Sequence, residues 1–281
     1  MLRQRVITAV LLLSILLPAL FAADPLYFVT CTMALIVAAA WEWGRLSGQA
    51  HTISLVGAAG LGVVCIGLWL LQMDPAQLVD VWLVAALAWA LLSVFALYSG
   101  AARWLMVPPK LRYAGGLVLL CVSWLALVES RQVGVNFLLS VMALVWVSDI
   151  CAYFAGRAFG GRWIARKLAV TISPGKTWEG VAGAVLGVAC MALVWAYADS
   201  QRPDVSLSIF SLIAERWGAM GVLVLGLLVA AGVVGDLLES LFKRAAGVKD
   251  SSGLLPGHGG VLDRVDALLP VVPLALWIVS L

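Results

Sequence analysis

Residues 217–240 read WGAMGVLVLGLLVAAGVVGDLLES, and this stretch decides the class of fold. It contains no charged side chain before Asp236. A helix rises about 1.5 Å per residue, so roughly 20 apolar residues cross the hydrocarbon core of a bilayer, which is about 30 Å thick. The stretch therefore predicts a membrane-spanning helix whose last turns carry polar side chains.

Similar apolar runs recur along the whole chain. They lie at 6–23, 26–44, 53–73, 79–98, 113–129, 134–156, 178–198, 217–240 and 265–281. The first run has a basic start that is also typical of a signal peptide, but its length favours a span. We expect an all-α, polytopic integral membrane protein with about nine transmembrane helices.

The predicted spans form two regions. Residues 1–130 hold about five spans, and residues 131–281 hold about four spans together with cytoplasmic loops at 156–177 and 241–264. We expect the polar loops of the second region to carry the chemistry.

The composition excludes several classes of protein. Hydrophobic residues make up 63% of the chain and charged residues 12%, which argues against a soluble domain and against disorder. The net charge is only +3, so no nucleic-acid partner is expected.

The distribution of lysine and arginine predicts the orientation. If the N-terminus is cytoplasmic, all of the 18 basic residues except Arg131, Arg202 and Arg216 fall on the inner side. Basic residues concentrate in cytoplasmic loops, so we expect a multi-pass protein of the inner (cytoplasmic) membrane. An odd number of spans then places Leu281 outside.

Small residues within the spans predict packing rather than chemistry. The five cysteines match no zinc pattern and are expected to be free thiols. Gly183 and Gly187 form a pair that brings helices together, either within one chain or between two chains of a homodimer. Packing within the chain is the favoured interpretation.

Acidic residues at membrane depth are costly and are therefore candidates for function. Glu42 is the weakest candidate, because Arg45 lies three residues on and within pairing reach. Asp149 is a better one. It lies inside the cytoplasmic end of the sixth predicted span, four residues before Tyr153 on the same helix face.

The first polar stretch, residues 156–177, ends in Ser173-Pro174-Gly175-Lys176-Thr177. Serine followed by proline favours a helix start, and the free N–H groups of a helix start bind anions. Two interpretations of this stretch stay open: a helix cap, and a phosphate contact from Lys176.

The second polar stretch, residues 235–266, reads GDLLESLFKRAAGVKDSSGLLPGHGGVLDRVD. Helical spacing places Asp236, either Glu239 or Ser240, and Lys243 on one face, which begins at membrane depth. Asp236 and Asp263 are carboxylates on neighbouring helix ends, the ligands that Mg²⁺ prefers when substrate phosphates complete its coordination.

The same stretch is suited to binding phosphates. Its glycines expose backbone amides, and its cations can neutralise anions; these cations are Lys243, Arg244, Lys249 and Arg264. His258 is expected to contact phosphate or to shape the loop, because Mg²⁺ selects oxygen ligands.

At these residues the sequence resembles the phosphatidate cytidylyltransferases, also called CDP-diacylglycerol synthases. The residues that match the signature of that family are Ser240, Lys243, Arg244, Lys249, Asp250, Pro256, His258, Gly259, Gly260, Asp263, Arg264 and Asp266. Close similarity covers residues 145–281. Asp149, Tyr153 and the run from Ser173 to Gly180 also look like elements of that family.

The resemblance implies an enzyme that joins CTP and phosphatidic acid at the cytoplasmic face of a lipid membrane, with Mg²⁺ as cofactor. On this interpretation the catalytic residues are Lys243, Arg244, Asp263 and Arg264. The substrate-binding residues are Lys176, Ser240, Lys249, His258, Gly259 and Gly260. The metal ligands are Asp236, Asp263 and Asp266, and Asp149 has a supporting place.

Two other functions use similar residues. A CTP-dependent kinase of a lipid alcohol needs the same metal and cations but attacks the γ-phosphate. A transporter of anionic lipid needs no turnover and would carry charge near the bilayer midplane and matched half-helices. The full motif favours cytidylyl transfer over the kinase, and the concentration of charge at one face disfavours the transporter.

Overall fold

The computed structural model describes residues 2–281, with side chains from residue 4 onward. In this range the chain is helical and has no β-strand. The helices are α1 (Leu2–Phe21), α2 (Pro25–Leu46), α3 (His51–Leu70), α4 (Pro75–Met106), α5 (Pro109–Val133), α6 (Val135–Phe159), α7 (Trp178–Ser200), α8 (Ile209–Trp217), α9 (Gly221–Ala245), α10 (Leu262–Val265) and α11 (Leu268–Ser280). The predicted all-α class is confirmed.

Local sequence signals explain where several helices begin. Asp24 accepts a hydrogen bond from the Leu26 amide, and Asp74 accepts one from the Ala76 amide. A proline follows each of these aspartates at the first helical position, where its missing N–H costs nothing. Gly100, with a φ of 73°, interrupts α4 near its end.

Within the described residues, eight helical segments are long and apolar enough to cross a membrane, so the chain is a multi-pass membrane protein. The expected ninth span at 265–281 is divided between the end of α10 and α11, and α11 has only 13 residues. At about 1.5 Å per residue α11 is roughly 20 Å long, shorter than the hydrocarbon core. The count of nine spans and the position of Leu281 therefore stay predictions.

Close contact between α6 and α7 explains the paired glycines. A Cβ atom added to Gly183 would lie 2.2 Å from the Ala155 Cβ, and one added to Gly187 would lie 2.3 Å from the Cys151 sulfur. The pair thus packs within the chain, as favoured from the sequence. The five cysteines are free, also as expected.

The core is shared between the two predicted regions. α11 packs against α4, α5 and α9, and α9 packs against α4. α11 is largely buried, with Val271, Ala275 and Ile278 almost inaccessible. This packing brings the end of α9 beside the ends of α2, α6 and the start of α7, where the polar residues collect.

Candidate active site

Both polar stretches of the sequence line one cavity of about 640 Å³. α6 contributes Asp149, and the loop before α7 contributes Lys176. α6 also contributes Arg157, and the remaining charged residues of the wall come from the second stretch: Asp236, Lys243, Asp250, Asp263, Arg264 and Asp266. The fold therefore places carboxylates and cations from four segments around one space.

An ion pair joins the two stretches. The Lys176 ammonium lies 2.6 Å from the Asp236 Oδ2 atom, and it donates to the Val233 carbonyl at 3.3 Å. Asp236 sits on α9, and Ser240 Oγ donates to its Oδ1 atom at 3.4 Å. Lys176 thus has a carboxylate partner at the cavity. From the same position its ammonium group can also contact a phosphate.

The ion-paired Lys243 ties α9 to α10. Its ammonium contacts carboxylate oxygens of Glu239 and Asp263. The other Asp263 oxygen accepts hydrogen bonds from the Ser251 amide, the Ser251 hydroxyl and the Gly260 amide at 2.7–2.9 Å. The loop between α9 and α10 is therefore closed around the Asp263 side chain.

These contacts keep Asp263 ionised. Burial by itself would raise the pKa of the Asp263 carboxyl, but the hydrogen bonds from Lys243 and from the Gly260 and Ser251 amides outweigh it. The pKa of Asp263 consequently lies well below its ordinary value. At neutral pH the side chain is a full negative charge facing the cavity.

Glu42 makes contacts near the site that the sequence interpretation did not predict. The expected pair with Arg45 is wrong, because the Arg45 guanidinium lies over the Trp41 ring, 5.0 Å from its centroid. The fully buried Glu42 carboxylate instead accepts from the hydroxyls of Ser251 and Ser252 and from the amides of Val261 and Leu262. Its place inside a predicted span was the signal available in the sequence.

A second buried carboxylate organises the loop before α7. Glu179 Oε1 accepts hydrogen bonds from the amides of Gly161, Trp163 and Ile164 at 3.0–3.1 Å. The helix itself is capped by Thr177, whose hydroxyl accepts from the Gly180 amide. The helix start expected at Ser173-Pro174 is thus wrong by about one turn. These two residues belong to the preceding turn, where the Ser173 carbonyl accepts from the Lys176 amide.

The glycine-rich loop forms a tight turn beside the cavity. The Leu255 amide donates to the Gly259 carbonyl, and Gly259 has a φ of 84°. Arg264 Nε donates to the His258 carbonyl at 3.1 Å. The buried His258 Nδ1 atom has no hydrogen-bond partner in the part of the chain that the structure describes.

The remaining predicted residues lie at the margin. Arg244 is exposed and donates to the Val248 carbonyl, and Lys249 is exposed. Neither lines the cavity, and the same holds for Ser240, His258, Gly259 and Gly260. Their assigned contacts with substrate stay predictions.

The carboxylates suit a hard cation that is shared with a substrate. Among residues 4–281, no three acidic, histidine or cysteine side chains are grouped closely enough to hold a metal alone. Mg²⁺ is usually bound by one or two carboxylates plus phosphates, and Asp236 and Asp266 face the same cavity. Asp263 could join them only if Lys243 moved away, because its oxygens are already engaged.

Comparison of the sequence with known proteins shows which proteins this chain resembles. A family model described as the cytidylyltransferase family matches residues 3–281. The chain is 39% identical to the phosphatidate cytidylyltransferase of Pseudomonas aeruginosa, over 99% of this chain and 97% of the relative. It is 35% identical to the enzyme of that name from Haemophilus influenzae, over 97% of this chain and 96% of the relative. It is 37% identical to that from Brucella suis, over 97% and 91%.

Proposed function

The chain belongs to the cytidylyltransferase family, and from this premise we propose that it transfers the cytidylyl group of CTP to phosphatidic acid. The products are CDP-diacylglycerol and pyrophosphate. The observation that carries the proposal is the meeting of both polar stretches at one cavity, in a chain whose full-length relatives bear the name phosphatidate cytidylyltransferase.

The reaction is a displacement at phosphorus. An oxygen of the lipid phosphate attacks the α-phosphorus of CTP and forms the new P–O bond. The bond from the α-phosphorus to the bridging oxygen breaks, and pyrophosphate leaves with the electron pair. The lipid phosphate is already anionic at neutral pH, so the protein needs to supply position and charge rather than a base.

The cations of the cavity supply that charge. Lys176 and Lys243 are each held by carboxylates, and Arg264 lines the same cavity and contacts the glycine-rich loop. When a triphosphate binds, its phosphate oxygens replace the carboxylate partners of the two lysines or share the lysines with them. Glu42 and Glu179 act indirectly: Glu179 holds the loop before α7, which carries Lys176, and Glu42 holds the start of α10, which carries Arg264.

We assign Mg²⁺ to the carboxylates Asp236, Asp263 and Asp266, with Asp149 in support. When bound, the metal ion would neutralise negative charge on the phosphates of CTP. To hold the metal ion, Asp236 would release Lys176 and Asp263 would release Lys243, whereas Asp266 forms no ion pair among the described residues. The distribution of lysine and arginine supports a cytoplasmic position for the site.

Labelled CTP tests the proposal directly. Purified protein is incubated with Mg²⁺ and phosphatidic acid, and with CTP labelled at either the α- or the γ-phosphate. We expect the α-label in the lipid product, the γ-label in pyrophosphate, and no transfer when EDTA replaces Mg²⁺. A γ-label in the lipid would identify a kinase instead. Absence of lipid-dependent pyrophosphate release would refute the enzyme proposal.

A further inference from the structure

A second cavity, of about 500 Å³, lies on the other side of α9. Its volume is within the range of roughly 300–1,000 Å³ that is usual for ligand pockets. The wall is formed mainly by apolar side chains of α2, α4, α5 and α9, among them Trp43, Trp89, Leu92, Leu119 and Leu238. A pocket of this composition suits a hydrocarbon chain.

The cavity opens sideways, toward the lipid-facing surface between α4 and α5. Phe95 on α4 and Leu111 and Val118 on α5 line it, and each is exposed by 46–63%. Gly115, also exposed, lies among them and leaves open space where a side chain would stand. In a membrane these residues face acyl chains, so a lipid could enter without crossing water.

Arg112 is a buried cationic side chain in this largely apolar wall. The residue is only 7% exposed, and its Nε atom is buried without a hydrogen-bond partner among the described side chains and backbone. Its guanidinium lies 5.9 Å from the centroid of the Trp104 ring, and no ion pair within residues 4–281 involves it. A buried cation without a counter-ion is costly, which indicates an anionic ligand.

The inner end of this cavity reaches the candidate active site. Gly235, Glu239 and Asp266 form part of its wall, and Asp266 also lines the polar cavity. The Trp104 and Phe242 rings lie 4.6 Å apart, which places the end of α4 against the last turns of α9. Arg112, in the first turn of α5, is therefore at the same end of the bundle as Lys243.

We propose that the apolar cavity between α4, α5 and α9 binds an acyl chain of the phosphatidic acid substrate, which enters between α4 and α5 while Arg112 binds its phosphate. This inference rests on the proposed function, because it names the binding path of that lipid. The apolar wall accommodates the chain, and the unpaired guanidinium meets the anionic end as it approaches Asp266 and the polar cavity.

Photolabelling without CTP tests lipid binding independently of turnover. The probes are phosphatidic acid with a photoreactive diazirine on one acyl chain, and the matching diacylglycerol, which lacks phosphate. We expect the acidic probe to label peptides of α4 and α5 more strongly than the neutral probe does. Inorganic phosphate should not compete, because the acyl chain contributes to binding.

Five variants complete the test. Arg112→Gln should reduce labelling by the acidic probe to the level of the neutral one, and Arg112→Lys should restore part of it. Gly115→Leu should reduce labelling by both probes, because the new side chain fills the opening. Gly67→Leu on the exposed face of α3, and Arg103→Gln at the exposed end of α4, serve as matched controls and should label normally.

Steady-state kinetics give the second readout. Arg112→Gln should raise the KM for long-chain phosphatidic acid by about tenfold or more, with the KM for CTP unchanged. A rise in the KM for CTP alone would show that Arg112 serves the nucleotide and would overturn the proposal. Labelling that is insensitive to both Arg112→Gln and Gly115→Leu would also overturn it. Lipid labelling without cytidylyl transfer would preserve the binding path but refute the proposed function.

Discussion

The Asp263 side chain connects three parts of the site at the scale of single residues. One oxygen contacts Lys243 on α9, and the other accepts from Ser251 and Gly260 in the loop. The carboxylate therefore combines a structural role with the predicted role in metal binding. These roles can be separated, because an amide preserves the shape and one acceptor but removes the charge.

We predict that Asp263→Asn inserts into the membrane normally yet lowers kcat by about a hundredfold or more, because the charge that faces the phosphates is lost. Turnover with labelled CTP measures the effect, and thermal unfolding in detergent measures folding. Asp204→Asn, at an exposed position in the loop after α7, is the control. Near-normal turnover of Asp263→Asn would contradict the metal role.

Glu42 is predicted to be a positioning residue. Glu42→Gln replaces one acceptor oxygen by a donor, so part of the four-bond network with residues 251–262 is lost. We expect a stability loss of about 1–3 kcal/mol and faster amide hydrogen exchange at Val261 and Leu262. Glu215→Gln, exposed on α8, should change neither quantity. Unchanged exchange at these amides would show that Glu42 does not hold the loop.

At the scale of elements, the α6–α7 contact sets the position of Asp149 relative to Lys176. The two helices meet through small residues, so their backbones approach closely at Gly183 and Gly187. Asp149 lies two residues before Cys151, which contacts Gly187 across this interface. Substitutions that move α6 and α7 apart should therefore shift Asp149 relative to Lys176, although the substituted residue contacts neither of them.

We predict that Gly183→Leu destabilises the protein by about 1–3 kcal/mol, because a larger side chain cannot fit against Ala155 without moving the helices apart. Thermal unfolding in detergent measures this. The matched control is Gly226→Leu in α9, where an added Cβ atom meets no neighbour within 4 Å. Equal unfolding temperatures for the two variants would argue against tight packing at Gly183.

At the scale of the whole molecule, the ends of the bundle differ in chemistry. The candidate site occupies one end. At the other end, Asp199 holds the loop between α7 and α8 in place. This carboxylate accepts from Asn136 and from the hydroxyls of Ser208 and Ser211. The second network ties helices together but carries no lysine or arginine, in keeping with the predicted outer side.

We predict that the two ends label from opposite sides of the membrane. In a chain whose five native cysteines are replaced, Lys249→Cys should react with a membrane-impermeant maleimide in inside-out vesicles only. Asp204→Cys should react in right-side-out vesicles only, because basic loops remain in the cytoplasm. Mass shifts of the labelled protein measure both reactions. The reverse pattern would overturn the predicted orientation.

The sequence by itself determined that the chain is an all-α membrane protein, because the length and polarity of its apolar runs leave no other way to satisfy the backbone in a bilayer. It also located both polar stretches, since charge at membrane depth is visible as an interruption of a run. Asp236 could be selected on this basis alone, and Asp263 as a carboxylate at the start of the following helix.

Only the tertiary structure decided which of these residues meet. Lys176 pairs with Asp236 across sixty positions of the chain, and Glu42 binds amides more than two hundred residues away. The same is true of the short α11 and of the apolar cavity beside Arg112, which exist only through packing. Hydrogen bonds and ion pairs depend on separation in space, and helical spacing specifies neighbours only within a few residues of the same helix.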